Sequence, residues 1–260
     1  MKKLCLALML MMLQAAAWAA VVAPTASIAI RAGDGSVNVQ VAGDGSVRVL
    51  PGDGSVRFLA GDGSVNVTTQ GDVVTWALPD FVLGGTTGEL ATFSNFTFSY
   101  DADPFIAFGV SVTNNTGSPL NYWFAFGSPY VGGPYDTVSS ELLLQAFDET
   151  GNPAGDVTDI VHLSTVDGAP RLSPAAGDCS PPAVGCFAAA GSATLAPISG
   201  GSGLFTSELS FTIGVEDAVV ATGRTDLFNA GSNVPEPGAL ALALLGLAGM
   251  AGLRARGRRR

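Results

Sequence analysis

The sequence predicts an all-β protein whose body is an antiparallel β-sandwich with Greek-key or jelly-roll-like connections. Three observations predict this fold class. A Gly-Asp-Gly-Ser-Val motif occurs four times near the start, and each copy is followed by alternating apolar and polar residues. Further along, short stretches with the same alternation are separated by clusters of glycine, proline and asparagine. Between the two ends of the chain, no stretch has a convincing helical period.

The four copies of the motif begin at Gly33, Gly43, Gly52 and Gly61. Alternating valines after each copy predict a short strand with one apolar face, because successive side chains of a strand point to opposite sides. Asp-Gly is a strong signal for a tight hairpin turn. Residues 20–71 are therefore predicted to form a short β-array that precedes the sandwich. Because its apolar face must pack on something, the array is expected to join the following sheet or form part of it.

Two arrangements of this array remain open. In an up-and-down meander, successive turns lie at opposite ends of the sheet. In a coil of stacked rungs, the turns share one edge and align possible calcium ligands, namely Asp34, Asp44, Asp53 and Asp62. The period is similar to that of calcium-binding beta-roll repeats, but the double glycine is missing and each turn has one aspartate. Turn geometry is therefore the preferred role, and no metal or other cofactor is predicted.

Residues 72–230 are predicted to form the sandwich itself. Turn signals such as Asn-Asn-Thr-Gly and Thr-Gly-Asn-Pro separate most of its candidate strands. These strands are Val73–Leu78, Ala91–Tyr100, Phe105–Thr113, Asn121–Phe126, Ser139–Asp148, Val157–Leu163, Ser192–Leu195, Phe205–Val215 and Ala218–Thr222.

The first residues are typical of a secretory signal peptide. Lys2 and Lys3 precede an apolar run, and the small-residue pattern 17–19 follows it. This order predicts cleavage after residue 19, so that residues 1–19 do not belong to the mature fold.

The last residues contain three consecutive pieces. Val234, Pro235, Glu236 and Pro237 precede an apolar run over residues 238–253. A helix of that length spans roughly 24 Å, and a bilayer core of about 30 Å makes it a short transmembrane helix. The third piece is a basic end, which the positive-inside bias keeps in the cytoplasm: Arg254, Arg256, Arg258, Arg259 and Arg260.

The order and position of these pieces resemble the PEP-CTERM sorting signal of exported bacterial proteins, here over residues 234–260. The resemblance implies that an exosortase, a membrane enzyme, recognises the tail and cuts near Pro-Glu-Pro. With the signal peptide it implies export in a Gram-negative type of cell. Transient anchoring in the inner membrane would then lead to the cell surface or the extracellular space. The family also implies an association with extracellular polysaccharide.

The region between the two ends is strongly acidic. Residues 20–233 contain 21 acidic side chains, five arginines and no lysine, which gives a net charge of −16. Nucleic acid is excluded as a partner, because its binding depends on lysines and arginines that meet phosphates. Such a surface suits a soluble extracellular protein.

Two cysteines lie close together in this region. Cys179 and Cys186 flank a proline-rich stretch, and in an oxidising compartment they are predicted to form a disulfide. Zinc is disfavoured because two isolated thiols and one histidine make a poor ligand set.

The sequence contains no convincing catalytic motif. His162 is the only histidine, and Ser164 and Asp167 lie too close to it along the chain for triad geometry. No nucleophile elbow is present. The prediction is a protein without enzymatic activity. A secreted hydrolase is a less favoured alternative, which requires two carboxylates that converge in one cleft.

One aromatic cluster stands out, in Tyr122–Phe126 and the loop that follows. Tyr122, Phe124 and Phe126 share one face of the strand, and an aromatic face of this kind is typical of a core. The alternative is a flat platform on which a sugar ring stacks, formed by Trp123, Tyr130 and Tyr135. The preferred function is therefore a non-enzymatic exported surface or matrix protein, and a secreted carbohydrate-binding module is the alternative.

Overall fold

The computed structural model describes residues 25–42, 44–101, 104–131, 133, 135–147, 157–173, 177–179, 187–198 and 202–229. Every regular element in these ranges is a β-strand. None of them contributes a helix that could cross a membrane. The predicted signal peptide and the predicted transmembrane helix at residues 238–253 lie outside the described residues.

The strands are numbered in chain order. They are β1 (Ser27–Ala32), β2 (Gly35–Val41), β3 (Val47–Pro51), β4 (Ser55–Phe58), β5 (Asn66–Gln70), β6 (Val73–Ala77), β7 (Phe81–Gly85), β8 (Gly88–Asp101), β9 (Phe105–Asn114), β10 (Leu120–Val131), β11 (Tyr135–Phe147), β12 (Val157–Val166), β13 (Ala169–Leu172), β14 (Gly177–Cys179), β15 (Phe187–Ile198), β16 (Ser202–Ile213) and β17 (Ala218–Phe228).

The strands form two antiparallel sheets that pack face to face. The eight-stranded sheet has the order β13-β12-β16-β10-β1-β2-β3, with β14 also paired to β12. The nine-stranded sheet has the order β15-β11-β17-β9-β8-β6-β5, with β7 paired to β8 and β4 paired to β7. The architecture is therefore an all-β sandwich, as the sequence predicts.

The repeat strands belong to the two sheets themselves. Strands β1, β2 and β3 are successive hairpin neighbours in the eight-stranded sheet, whereas β4 and β5 lie in the nine-stranded sheet. The array is thus built into the two sheets of the sandwich. The physical reason is that each short strand has one apolar face, and Val37, Val39 and Val49 lose water contact only by facing the opposite sheet.

The first repeat turn differs by one residue from the expected Asp-Gly pair. Ala32 pairs with Gly35, so the two central residues of the turn are Gly33 and Asp34. Gly33 has a φ of +56°, a left-handed conformation that glycine adopts without a steric penalty. Only this residue therefore needs to be glycine for the turn to close.

Aromatic side chains fill the space between the sheets. Along β10 the inward residues Tyr122, Phe124 and Phe126 are at most 2% exposed. Phe108 of the facing sheet stacks on Phe126 with ring centroids 4.3 Å apart. Burial of each such side chain contributes about 1.5–3 kcal/mol, so this aromatic layer is a major source of stability.

The nine predicted strands of the body all overlap observed ones, although several observed strands are longer. The sequence interpretation missed β1, β7, β13 and β14. A signal for β13 was present: Asp167 and Gly168 form the two-residue turn between β12 and β13, and both have positive φ, 52° and 74°.

Candidate functional site

A ring of four hydrogen bonds lies in the interior between the two sheets. The Oγ of Ser140 lies 3.1 Å from His162 Nδ1 and 3.1 Å from Thr225 Oγ1. His162 Nε2 lies 2.8 Å from Ser207 Oγ, which lies 3.1 Å from Thr225 Oγ1. All four residues are at most 1% exposed. The ring connects β11 and β17 of one sheet with β12 and β16 of the other.

All four hydrogen bonds of this cycle can form when the imidazole is uncharged. Three hydroxyls and one ring N–H supply four donors for four bonds, so each group can donate once and accept once around the cycle. Burial lowers the pKa of His162 to about 4, because the charged form loses its hydration. Phe108 packs edge-on against the imidazole, with ring centroids 6.0 Å apart.

The structure does not bring together the residues of a Ser-His-Asp triad. Both His162 nitrogens bond to Ser140 and Ser207, and neither has Ser164 as its partner. The Asp167 carboxylate instead accepts hydrogen bonds from the hydroxyl of Tyr130, at 2.7 Å, and from the backbone N–H of Leu204, at 3.0 Å. The single histidine is therefore part of the core.

The three aromatics of the suggested sugar platform are also separated. Tyr130 is 3% exposed and points inward, whereas Trp123 lies on the outer face of the same strand. Burial, followed by the bond to Asp167, raises the pKa of Tyr130 to about 12. Tyr135 packs edge-on against Tyr130, with centroids 6.3 Å apart. Only Trp123 faces outward from the eight-stranded sheet, so the three rings do not share one flat surface.

Trp123 has polar and small neighbours on that outer face. The guanidinium of Arg31 lies 5.1 Å from its ring centroid, within cation–π range. Two positions further along β10 is Ala125, flanked in register by Ala29 and Glu208. The indole of Trp123 is therefore partly exposed, and two small side chains lie two positions further along the sheet in register with Glu208.

The aspartates of the repeat have hydrogen-bond partners within the protein. The Asp34 carboxylate accepts hydrogen bonds from the N–H, at 3.1 Å, and the hydroxyl of Thr86. Asp44 accepts two bonds from Ser46, from the N–H at 3.0 Å and the hydroxyl at 2.6 Å. The hydroxyl bond is the largest of the contributions that lower the pKa of each aspartate.

The other two aspartates also have hydrogen-bond partners. The Asp62 carboxylate accepts a bond from the Ser64 N–H at 3.0 Å, and Asp53 donates its own N–H to Ser36 Oγ at 2.7 Å. Bonds from the Ser64 hydroxyl and N–H lower the pKa of Asp62. In the part of the chain that the structure describes, no three acidic, histidine or cysteine side chains form a metal-binding group.

Cys179 is 1% exposed and disulfide-bonded. It ends β14, which pairs with β12 through Val157. Cys186 lies outside the described residues, so its pairing with Cys179 stays a prediction.

One charged cluster on the nine-stranded sheet was not predicted. Arg224 bonds to both carboxylate oxygens of Asp226, at 2.6–3.0 Å, and lies 4.5 Å from the ring centroid of Phe105. The bond to Asp226 is the main reason that the pKa of Arg224 is raised. The alternation of β17 could have predicted that Arg224 and Asp226 share one face of the strand. The contact of Arg224 with Phe105 of β9 could not be predicted in this way, because it depends on which strands pair.

No curated protein matches the chain. Among solved structures, TmCBM61 in complex with beta-1,4-galactotriose matches at 11% identity and a TM-score of 0.28, over 47% of this chain and 70% of that one. Carbohydrate-binding modules from the beta-sandwich super family match at 8% identity and a TM-score of 0.26, over 80% and 99%. Slr1438 from Synechocystis sp. PCC 6803 matches at 10% identity and a TM-score of 0.23, over 75% and 92%. Similarities this weak assign no ligand to this chain.

The tail gives a specific family match. The predicted sorting residues lie outside the described part of the chain, and the match rests on the sequence alone. The family described as the PEP-CTERM protein-sorting motif matches residues 233–260. The motif implies export, a membrane-anchoring tail and processing by an exosortase. The chain therefore carries a PEP-CTERM protein-sorting motif at residues 233–260.

Proposed function

We propose that this protein is a non-enzymatic component of the cell surface or extracellular matrix that is associated with exopolysaccharide. The observation that carries the proposal is the sorting motif at residues 233–260. It follows a β-sandwich whose strands end at Phe228. The protein is held in the inner membrane of a Gram-negative type of cell until an exosortase cuts near Pro-Glu-Pro and the sandwich leaves the membrane.

The chemistry of the tail suits a transient anchor. The apolar run at residues 238–253 is shorter than a typical span, so the flanking arginines must reach the cytoplasmic interface to hold it in place. Proline on both sides of Glu236 disfavours helix in the preceding residues and keeps the cleavage segment extended. An extended segment is accessible to a protease-like active site.

The placement of His162 supports the absence of catalysis. Its imidazole is 1% exposed, and both nitrogens are engaged by hydroxyls of the core. A general base must reach a proton on a bound substrate, either directly or through one water molecule. This histidine has no such route from its position between the two sheets. A secreted hydrolase that works through two carboxylates remains the less favoured alternative.

The processing proposal is tested by mass spectrometry of the extracellular protein made from the full chain. We expect an N-terminus near Ala20 and a C-terminus near Pro237. Glu236→Ala should reduce the processed fraction at least tenfold and retain the protein in the membrane. Glu89→Ala, which removes an exposed carboxylate of the sandwich, is the control and should be processed normally. An extracellular form that still ends at Arg260 would contradict the proposal.

The second candidate function is that of a carbohydrate-binding module. It is favoured by one observation: Trp123 is a partly exposed aromatic ring on the outer face of the eight-stranded sheet, and Ala125, two positions along its strand, pairs in register with Glu208. Affinity of the exported protein for soluble glycans tests it. Trp123→Ala should weaken binding at least tenfold, whereas Leu50→Ala, an exposed apolar residue of the same sheet, should leave it unchanged. Equal binding by both variants would exclude Trp123 as the site.

A further inference from the structure

Strand β5 has an open edge. It pairs only with β6 among the strands of the described residues, from Asn66 opposite Ala77 to Gln70 opposite Val73. All five of its residues are exposed, including Val67 at 42%. An edge strand has backbone N–H and C=O groups available for a further strand.

Most of the other edge strands in the described residues have features that oppose such pairing. The outer side of β3 is covered by residues 63–65: Val49 N–H bonds to the Gly63 carbonyl at 3.0 Å, and Val65 N–H bonds to the Val47 carbonyl at 2.8 Å. Of the other described edge strands, β13 carries Pro170 and Arg171, and β4 carries Arg57. The edge of β15 carries one proline, Pro197, next to its last residue. Proline, charge and covering segments are the devices by which natural sheets block edge pairing.

Strand β5 has none of these devices. Its sequence contains no proline and no charged residue, and the whole β5–β6 hairpin, residues 66–77, has a single charge at Asp72. The rest of the exported region is strongly acidic and repels a second copy of itself. Electrostatic repulsion between two copies of the protein is therefore weakest when they approach each other through this hairpin.

The hairpin is also held firmly against the sandwich. Trp76, which pairs with Val67, is 2% exposed. Its ring packs edge-on against Phe98 at 5.4 Å and against Tyr100 at 5.7 Å. Thr75 Oγ1 lies 2.9 Å from Ser99 Oγ of the next strand. The open edge is therefore a preorganised template, which lowers the entropy that a pairing partner must lose.

We infer that β5 is a self-association edge, on which the β5 strand of a second copy of this chain pairs antiparallel about a two-fold axis at Thr68. In this register Val67 faces Thr69 of the second copy, and Asn66 faces Gln70. No like charges oppose each other, and the amides of Asn66 and Gln70 can bond across the interface. Both copies use the same edge, so the contact is isologous and closes as a dimer rather than extending into a filament.

The dimer is weak. A five-residue ladder is about 17 Å long, and it covers far less than the roughly 1,200 Å² at which stable interfaces begin. Association is therefore expected only at high local protein concentration. Salt should strengthen it, because salt screens the repulsion between the two acidic bodies.

Cysteine cross-linking tests the register on exported protein made from the full chain. Thr68→Cys places two thiols directly opposite each other at the axis, where Cα atoms are about 4.5–5.5 Å apart, within disulfide reach. Thr69→Cys is the matched control. It is an equally exposed threonine of the same strand, but its two copies are diagonal neighbours about 7–8 Å apart. We expect a disulfide-linked dimer for Thr68→Cys, at least tenfold more than for Thr69→Cys.

Sedimentation of the unmodified exported protein is the second measurement. We expect concentration-dependent dimerisation that Thr68→Lys abolishes, because two like charges would meet at the axis. Thr87→Lys, an exposed threonine in the turn between β7 and β8, makes the same charge change away from this edge and should leave dimerisation intact. Equal cross-linking at both cysteine positions, species larger than dimers, or a strictly monomeric parent protein would each overturn the inference.

Discussion

His162 Nε2 lies 2.8 Å from Ser207 Oγ, in the buried interior of the sandwich. Through Nδ1 the same ring also bonds to Ser140 on the facing sheet, at 3.1 Å. Hydrogen bonds are directional, so this contact constrains how the two sheets sit over each other more strictly than apolar packing does. Burial opposes the charged form of the imidazole, and this makes stability depend on pH.

The first prediction concerns that pH dependence. Burial lowers the pKa of His162 to about 4, from about 6.5 in the unfolded chain. Between these values the unfolded state binds more protons than the folded state, so stability decreases as pH falls from about 6.5 to about 4. We expect the free energy of unfolding to decrease by about 3 kcal/mol over this range. Urea denaturation at several pH values measures the decrease.

His162→Gln is the control for this effect. Glutamine has no titratable group, so the difference in unfolding free energy between the variant and the parent protein should shrink as pH falls from 6.5 to 4. Other carboxylates titrate equally in both proteins and cancel in that difference. A constant difference over this range would contradict the low pKa of His162.

A second prediction concerns the inward and outward faces of the repeat strands. Val37 is fully buried, whereas its neighbour Asn38 is partly exposed. Val37→Asp buries an uncompensated carboxylate and should destabilise the protein by more than about 3 kcal/mol. Asn38→Asp should change stability by less than about 0.5 kcal/mol. Thermal or urea unfolding measures both, and equal effects would contradict the observed strand orientation.

A third prediction concerns the thiols. A bridge between Cys179 and Cys186 would close a short loop and stabilise the fold by about 2–3 kcal/mol in the chain-entropy model. Reduction, or a Cys186→Ser substitution, should lower the urea midpoint accordingly. Thiol labelling of the native exported protein should find neither cysteine reactive. Reactivity at Cys186 alone would mean that Cys179 has another partner.

A fourth prediction concerns calcium. The carboxylates of Asp34, Asp44 and Asp62 already accept hydrogen bonds from threonine or serine in their own surroundings. Calcium needs six to eight oxygen ligands, and we expect none of these turns to supply them. The melting temperature should therefore be the same in millimolar calcium and in a chelator. A calcium-dependent increase that is lost on Asp44→Asn would contradict this.

Much of the fold could be predicted because strand signals are local. The alternation around Phe124 and around Val37 predicts a strand and its buried face, since period two is a property of each segment alone. Strand β1 was missed because it lies directly after the predicted signal peptide. Strand β13 was missed although Asp167 and Gly168 marked its turn.

The candidate site was harder to predict, because its members come from distant segments. His162 meets Ser140, Ser207 and Thr225 only after four strands have taken their places in two sheets. Likewise, the burial of Tyr130 depends on where β10 continues beyond Phe126. The spacing of these residues along the sequence does not predict their contacts.

By itself, the sequence determined the sorting motif at residues 233–260, the acidic character of the exported region and the apolar face of most strands. Each of these features is a property of a single segment and does not depend on where that segment lies in the fold. Only the tertiary structure decided that the repeats divide between two sheets, that β5 keeps an open edge and that His162 closes a polar ring. Alternation allows a strand to pair with any neighbour, and the choice among neighbours depends on the summed packing of the whole sandwich.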